Sequence, residues 1–279
     1  MTGTFTTSEG LTLSYERRGS GPLLVCHPGG PGGSAAEFRD FAGLADTFER
    51  VLLSPRGSIG SDAAGDYSLT SYVADVEALR EHLGVEQLDL LGFSHGGVVA
   101  IAYAAVFGPR IRRLLLVDTL AVWGDEAEAA MQRGMESHRD EPWFADAQRA
   151  IEEEQAGEFA SVEELIANVQ RQAPLYFHRW EGNEQAGREL FADFAQSEPL
   201  HHFNTVEFPT FDLRPELRTI AAPTLVVVGD DDFICGPASA NAIVRELPDA
   251  RLVTIPDSGH FVYIEQPAAF RAALTDFLL

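Results

Sequence analysis

Lysine is absent from this chain of 279 residues, so all 20 basic side chains are arginines. Without a lysine amine, the protein cannot form the Schiff base on which pyridoxal phosphate enzymes depend. The lysine of a phosphate-binding P-loop is missing for the same reason. The preference for arginine is typical of a genome biased toward arginine codons, and it indicates no mechanism.

Cysteine is scarce as well. The chain has two cysteines, Cys26 and Cys235, which are too few for the disulfide framework typical of small secreted domains. No apolar run reaches the roughly 18 residues of a membrane span. Residues 1–19 lack the basic region and the apolar core of a signal peptide. We therefore expect a cytoplasmic protein with reduced thiols and no contact with membranes.

Positive charge is in short supply, because 43 acidic side chains outnumber 20 basic ones and the formal net charge is −23. A polyanion would be repelled, so we expect no nucleic-acid partner. Paired metal ligands are also rare: His201 and His202 are adjacent, and neighbours on a helix diverge by about 100°. We expect no metal and no cofactor. The expected partner is a small molecule or a short peptide, and no oligomeric state is indicated.

What the chain does have is a series of short apolar runs that stop at glycine-rich or acidic loops. These runs predict strands over 11–17, 23–26, 51–54, 88–91, 113–117, 224–228 and 251–255. Helical spacing of apolar residues predicts helices over 72–83, 98–107, 238–247 and 267–278. Strands that alternate with helices predict an α/β fold, with a mostly parallel sheet and helices on both faces.

The alternation of predicted strands and helices stops in the middle of the chain. From residue 120 to 215 the sequence is acidic and aromatic and contains no convincing strand. We predict that this segment is a helical cap, inserted into a core formed by residues 1–119 and 216–279. In open parallel sheets ligands bind at the carboxyl ends of the strands, so we expect the site where core and cap meet.

The stretch LGFSHGG at 91–97 places Ser94 between two glycines, in the pattern Gly-x-Ser-x-Gly. It follows a predicted strand and precedes a predicted helix, which is the context of a nucleophile elbow. A sharp turn crowds the positions two before and two after the serine, so only a residue without a side chain fits there, which explains Gly92 and Gly96. We predict that Ser94 is a nucleophile; the alternative is a tight turn with an incidental serine.

A serine hydroxyl needs a histidine base, and the histidine needs an acid that orients it. His260 lies in the loop after the last predicted strand and is the candidate base. Asp232 follows the strand at 224–228 and is the preferred acid, with Asp230 and Asp231 as alternatives. The order serine, aspartate, histidine along the chain is that of the α/β-hydrolases.

The transition state also needs two N–H donors for the developing oxyanion. The loop HPGGPGG at 27–33 offers one, because glycine lets the backbone approach a ligand closely. Gly30 is the preferred donor, and Gly29 is the alternative and a candidate substrate contact. The backbone N–H of His95 is the second donor. A phosphate-binding role is disfavoured because no Gly-Lys-Ser/Thr follows.

Taken together, these motifs resemble those of the α/β-hydrolase superfamily, and within it the chain is similar to proline iminopeptidases. The resemblance rests on HPGGPG at 27–32, PRGSIGSD at 55–62, GFSHGG at 92–97, GDDD at 229–232 and SGH at 258–260. It implies a serine hydrolase with Ser94 as nucleophile, His260 as base, Asp232 as orienting acid, and Gly30 and His95 as oxyanion donors.

The same resemblance implies that cap glutamates hold the free amino terminus of a substrate. Trp180 and Glu181 match a Trp-Glu pair of those enzymes, and a second glutamate is either Glu198 or Glu207. The favoured activity is therefore that of an aminopeptidase on small N-terminal residues. A carboxylesterase or lactonase is the alternative, and a cofactor-free, non-hydrolytic enzyme of the same fold is a third candidate.

Overall fold

The computed structural model describes residues 1–156 and 159–279, and its centre is an eight-stranded sheet. The strands are β1 (Thr2–Thr6), β2 (Thr12–Arg18), β3 (Leu23–His27), β4 (Glu49–Ser54), β5 (Leu88–Phe93), β6 (Ile111–Val117), β7 (Thr224–Gly229) and β8 (Ala250–Ile255). Their order across the sheet is β1-β2-β4-β3-β5-β6-β7-β8. The first two strands run antiparallel to their neighbours, and the others pair in parallel. The prediction of a mostly parallel sheet is confirmed.

The register brings the carboxyl ends of the central strands to one edge. His27 at the end of β3 lies opposite Gly92 of β5, and Phe93 lies opposite Val117 of β6. The loops that follow β3, β5 and β7 therefore leave the sheet side by side. Residues that are distant in the sequence, from 28 to 260, meet there.

No sequence pattern predicted β1. Its five residues TGTFT include one large apolar side chain, Phe5, so the alternation is weak. The strand forms because it pairs with β2, where Phe5 lies opposite Leu13, and both side chains are buried. Pairing with a neighbouring strand thus supplies what local propensity does not.

Helices flank this sheet and continue into the insertion. They are α1 (Leu69–Leu83), α2 (His95–Val106), α3 (Asp125–Glu136), α4 (Phe144–Ala156), α5 (Val162–Gln172), α6 (Glu184–Leu190), α7 (Glu198–His202), α8 (Arg214–Leu217), α9 (Pro237–Glu246), α10 (Val262–Glu265) and α11 (Pro267–Leu278). A π-helix, Phe203–Glu207, extends α7. None of the described helices is long and apolar enough to cross a bilayer.

Consecutive residues of the central strands point to opposite faces, and each face is covered. Leu90 packs in the same cluster as Tyr72 of α1 and Ile101 of α2. Leu91, the next residue, packs in a second cluster with Phe270 of α11. This alternation in strands buried on both faces explains why they are apolar without interruption.

The segment between β6 and β7 contains α3 to α8. Within its described residues, strand-like pairing is limited to one bridge between Val122 and Asp212. Met131, Ile151 and Leu175 of this segment form a small buried cluster with Phe233 of the core. The helical segment is therefore packed directly against the loop that follows β7.

Candidate active site

Ser94 occupies a strained turn between β5 and α2. Its φ is 52° and its ψ is −122°, in a region that residues with a side chain rarely adopt. The Ser94 N–H donates to the carbonyl of Val117 at 3.0 Å, and Thr119 Oγ1 donates to the Ser94 carbonyl at 2.7 Å. Two hydrogen bonds from the neighbouring strand and its following loop thus hold the backbone in this conformation, as expected for strain at a functional residue.

The two glycines of the motif are required by close backbone contacts. A Cβ atom on Gly92 would lie 2.2 Å from the carbonyl oxygen of Gly96. A Cβ atom on Gly96 would lie 2.3 Å from the carbonyl oxygen of His27. Both distances are far below any real contact, so the elbow and the loop after β3 pack together without room for side chains.

His260 and Asp232 form a buried pair. The Nδ1 atom of His260 lies 2.9 Å from Oδ2 of Asp232, and their side chains are 4% and 0% exposed. The other oxygen of Asp232 accepts the backbone N–H groups of Ile234 at 3.0 Å and Cys235 at 3.1 Å. An acceptor held in this way keeps the imidazole proton on Nδ1, which leaves Nε2 free to take a proton.

The two alternative aspartates have other partners. Oδ1 of Asp230 accepts the backbone N–H of Ser258 at 3.3 Å, and Oδ2 of Asp231 lies 2.9 Å from Nδ1 of His178. Of the three adjacent carboxylates, Asp232 is the one in contact with His260.

Ser94 and His260 both line a cavity of about 690 Å³ between the sheet edge and the helical segment. This volume is in the range of small-molecule sites. Most of the lining is aromatic or aliphatic, and the aromatic members from the segment between β6 and β7 are Trp123, Phe159, Tyr176, Phe191, Phe194, Phe203 and Phe208. Ser94 and His260 thus face a largely apolar space.

The loop after β3 presents Gly30 to this cavity. Gly30 has a φ of 101°, and no described residue accepts its N–H. The N–H of Gly29 donates instead to Oε2 of Glu37 at 2.6 Å. Gly30 therefore has the available donor, whereas that of Gly29 is occupied. His95 is the first residue of α2, where a backbone N–H has no acceptor within the helix.

The ring of His95 does not line the cavity. It lies 5.1 Å from the ring of Tyr72, 4.9 Å from that of Phe203 and 6.3 Å from that of His27, measured between centroids. Burial lowers the pKa of His95 well below its usual value and lowers the pKa of His27 to about 4. Both imidazoles are therefore neutral, and His95 can face the cavity only with its backbone.

Among the described residues, four acidic side chains line the cavity: Glu37, Glu154, Asp193 and Glu198. Burial raises the pKa of Glu37 to about 8, against the hydrogen bond from Gly29 and with a further contribution from the charge of Asp193. Burial also raises the pKa of Asp193. Glu198 was a sequence candidate, but the other three were missed, because no local motif marks them.

Other residues expected to bind substrate lie elsewhere. Glu181 is exposed and outside the cavity wall. Trp180 packs on α6, where a Cβ atom on Gly187 would lie 2.6 Å from its ring. Glu207 lies at a separate small cavity and accepts the backbone N–H of Leu69 at 3.2 Å. The packing of the helices, which a short motif does not encode, determines these positions.

Asp232, Cys235 and His260 each offer one potential metal ligand within 4.8 Å of the others. Burial raises the pKa of the Cys235 thiol well above its usual value, so the thiolate that binds metals is disfavoured. Asp232 and His260 already bind each other. The chemistry of this set therefore suits a hydrogen-bonded pair beside a neutral thiol.

Comparison with known proteins supports the resemblance drawn from the motifs. The family model described as the α/β hydrolase fold matches residues 22–267. A proline iminopeptidase of Levilactobacillus brevis is 30% identical, over 92% of this chain and 88% of the relative. Two solved structures superimpose over nearly their whole length. One is a hydrolase from Pseudomonas aeruginosa, which is 26% identical with a TM-score of 0.77 and covers 99% of this chain and 98% of its own. The other is a thermophilic esterase from Thermogutta terrifontis, which is 25% identical with a TM-score of 0.75 and covers 100% of this chain and 98% of its own. The chain belongs to the α/β-hydrolase fold family.

Proposed function

We propose that the protein is a serine hydrolase whose reaction passes through an acyl-enzyme. Ser94 Oγ attacks the acyl carbon of the substrate while Nε2 of His260 takes its proton. Asp232 holds the proton on Nδ1 and stabilises the imidazolium that forms. The observation that carries this proposal is the buried His260–Asp232 pair, at 2.9 Å, at the same cavity as Ser94.

The N–H groups of Gly30 and His95 stabilise the oxyanion in this scheme. His260 then returns its proton to the leaving amine or alcohol, and a water molecule attacks the acyl-enzyme with His260 again as base. Residues 120–215 act as the cap, since they supply most of the cavity wall and exclude bulk water.

The favoured substrate carries a free amine. Among the described residues that line the cavity, four are acidic and none is an arginine. The carboxylates among them that are ionised attract an ammonium group, and a charged hydrogen bond there contributes about 1.5–3 kcal/mol. The relative named a proline iminopeptidase supports release of a small N-terminal residue, such as proline, from a short peptide or amide.

An esterase is the second candidate. Its support is the largely apolar lining of the cavity and the similarity to an esterase of known structure. An apolar ester needs the same Ser94 chemistry but no carboxylate partner. The two candidates therefore differ in their need for a free amine.

A matched set of substrates separates the two activities. Rates are measured for a proline arylamide, its N-acetyl derivative and a simple aryl ester, with Ser94→Ala as the blank. For an aminopeptidase, kcat/KM should be at least about 10-fold lower for the acetylated compound than for the free amine, because acetylation removes the ammonium group. Equal rates for the free and acetylated amides would favour the esterase. Failure of a fluorophosphonate to label Ser94 in folded protein would overturn the serine mechanism.

Single variants then locate the amine site. Glu198→Gln keeps the size of a cavity-lining side chain but removes its carboxylate, so we expect KM for the free amine to rise about 10-fold. The aryl ester should be unaffected. Glu181→Gln should change neither substrate, because Glu181 is exposed and outside the cavity. The reverse result would return the amine site to the Trp180–Glu181 pair.

A further inference from the structure

Glu265, at the end of α10, accepts three backbone N–H groups. Its Oε2 accepts from Gly259 at 2.7 Å and from His178 at 3.1 Å, and its Oε1 accepts from Arg179 at 3.1 Å. Gly259 belongs to the loop of His260, whereas the other two donors belong to the segment between β6 and β7. One half-buried carboxylate thus joins the cap to the loop of the proposed base.

The backbone of His260 is held by the same piece of the cap. Its N–H donates to the carbonyl of Tyr176 at 2.8 Å. A Cβ atom on Gly259 would lie 2.6 Å from that carbonyl oxygen, so the two backbones are in direct contact. The ring of Tyr176 lines the cavity and lies 5.4 Å from the ring of His260. Tyr176 therefore faces the substrate space and holds the histidine at the same time.

The loop of the proposed acid is attached to this segment as well. Nδ1 of His178 lies 2.9 Å from Oδ2 of Asp231, the residue before Asp232. The N–H of Asp231 donates to the carbonyl of Ser258 at 3.0 Å, which connects the acid loop to the histidine loop. We call residues 176–179, 258–260 and Glu265 the cap–histidine junction.

We propose that Glu265 is a positioning residue for His260. The cap–histidine junction aligns the imidazole only while residues 176–179 remain in contact with residues 258–260 and Glu265. The inference rests on the proposed role of His260 as base. The Asp232 bond orients the ring, but the junction fixes the backbone from which the ring extends. A base displaced by about 1 Å can lose about 10²-fold in rate, so this attachment matters for catalysis.

Among the described residues, two titratable side chains interact electrostatically with Glu265. They are His178 of the cap and Asp118, which follows β6, while Arg179 meets Glu265 through its backbone N–H. None of them can replace the acceptor that three N–H groups share. A different side chain at position 265 must therefore accept all three N–H groups, or some of them lose their hydrogen bond.

Glu265→Gln is the test, because its amide nitrogen cannot accept an N–H. Glu184→Gln is the matched control, since Glu184 accepts the N–H of Gly182 at 3.1 Å within the cap and lies outside the junction. We expect Glu265→Gln to lower kcat about 10- to 100-fold with KM within twofold. In the NMR spectrum the downfield Nδ1 proton of His260 should weaken through faster exchange. The control should retain both properties.

A stability effect alone would not support the proposal. If Glu265→Gln lowers the melting temperature but leaves kcat and the downfield proton intact, Glu265 is only structural and the proposal is wrong. If that variant does not fold, Glu265→Asp provides the same readouts, because a shorter carboxylate cannot reach all three donors. Fluorophosphonate labelling distinguishes failure of the serine mechanism from failure of the positioning role. An unlabelled wild type overturns the serine mechanism, whereas equal labelling rates in wild type and variant overturn the positioning role.

Discussion

The two walls of the cavity are built in different ways. On the core side, Ser94 and Gly30 are placed by backbone conformations that leave little freedom, with φ values of 52° and 101°. On the cap side, the lining consists of side chains from several short helices and the loops between them, such as Tyr176, Asp193 and Phe203. Backbone geometry thus positions the proposed chemistry, whereas helix packing decides what the cavity accepts. Variants of the two regions should differ accordingly.

The largest expected effect is the loss of the core nucleophile. Ser94→Ala should reduce kcat/KM by about 10⁴-fold or more, because no other described side chain at the elbow can take its role. The cap variant Ser137→Ala should be fully active, since that exposed hydroxyl bonds only the carbonyl of Gly134. Hydrolysis of the preferred substrate is the measurement. Substantial activity in Ser94→Ala would show that the chemistry does not start at the elbow.

Stability offers the second contrast. Arg56 and Asp75 form a bidentate ion pair in the core, at 2.7 and 2.8 Å, and both side chains are 1% exposed. Asp75→Asn should cost about 3 kcal/mol, because it removes the buried charge that pairs with the guanidinium of Arg56 and leaves that group only the exposed Glu9, at 3.2 Å, as an ionic partner. For a chain of this size, the melting temperature should fall by about 6–12 °C.

The exposed ion pair of the cap is the comparison for that variant. Arg171 contacts Asp146 at 2.8 Å, and their side chains are 30% and 58% exposed. Arg171→Gln should therefore cost less than about 1 kcal/mol. Equal melting temperatures for the two variants would contradict the view that the buried pair organises the core.

Glu37 lies on the core side of the cavity, and burial, with a smaller contribution from the charge of Asp193 on the cap side, raises its pKa. In the folded protein its pKa is about 8, whereas in the unfolded chain it returns toward its ordinary value of 4.5. Between these values the unfolded state binds fewer protons, so the free energy of unfolding falls as pH rises from about 5 to 8. Glu37→Gln should remove this part of the slope. Urea denaturation at several pH values is the measurement, and an unchanged slope would contradict the assignment.

The smallest expected effect is that of long-range charge. The net charge of −23 should attract a cationic substrate and leave a neutral one unaffected. Added salt from about 50 to 500 mM should lower kcat/KM for the free amine by about two- to fivefold, because it screens this attraction. The aryl ester is the internal control. A similar salt response of both substrates would indicate an effect on the enzyme rather than on the attraction.

Much of the molecule could be predicted from local patterns. The glycines around Ser94 and the apolar strands are local signals, the order serine, aspartate, histidine is a pattern along the whole chain, and the fold class they predict is confirmed. These patterns can be recognised in the sequence because a strand buried on both faces must be apolar, and a sharp turn leaves no room for a side chain. β1 was missed for the converse reason, since its weak alternation depends on pairing with β2.

Which side chains of the cap face the cavity was beyond such reasoning. A Trp-Glu pair is a local match, yet Trp180 turns onto Gly187 and Glu181 faces solvent. Glu37 and Asp193 carry no motif, but they line the same cavity although 156 positions separate them in the chain (193 − 37). Glu265 likewise looks like an ordinary residue of a short helix, and only folding brings Gly259, His178 and Arg179 to its carboxylate. By itself the sequence determined seven of the eight strands, the elbow and the candidate reacting groups, because steric and hydrophobic rules act over a few neighbouring residues. Tertiary structure alone decided which carboxylates face the cavity and what holds His260 in place, because those contacts join segments that are distant in the chain.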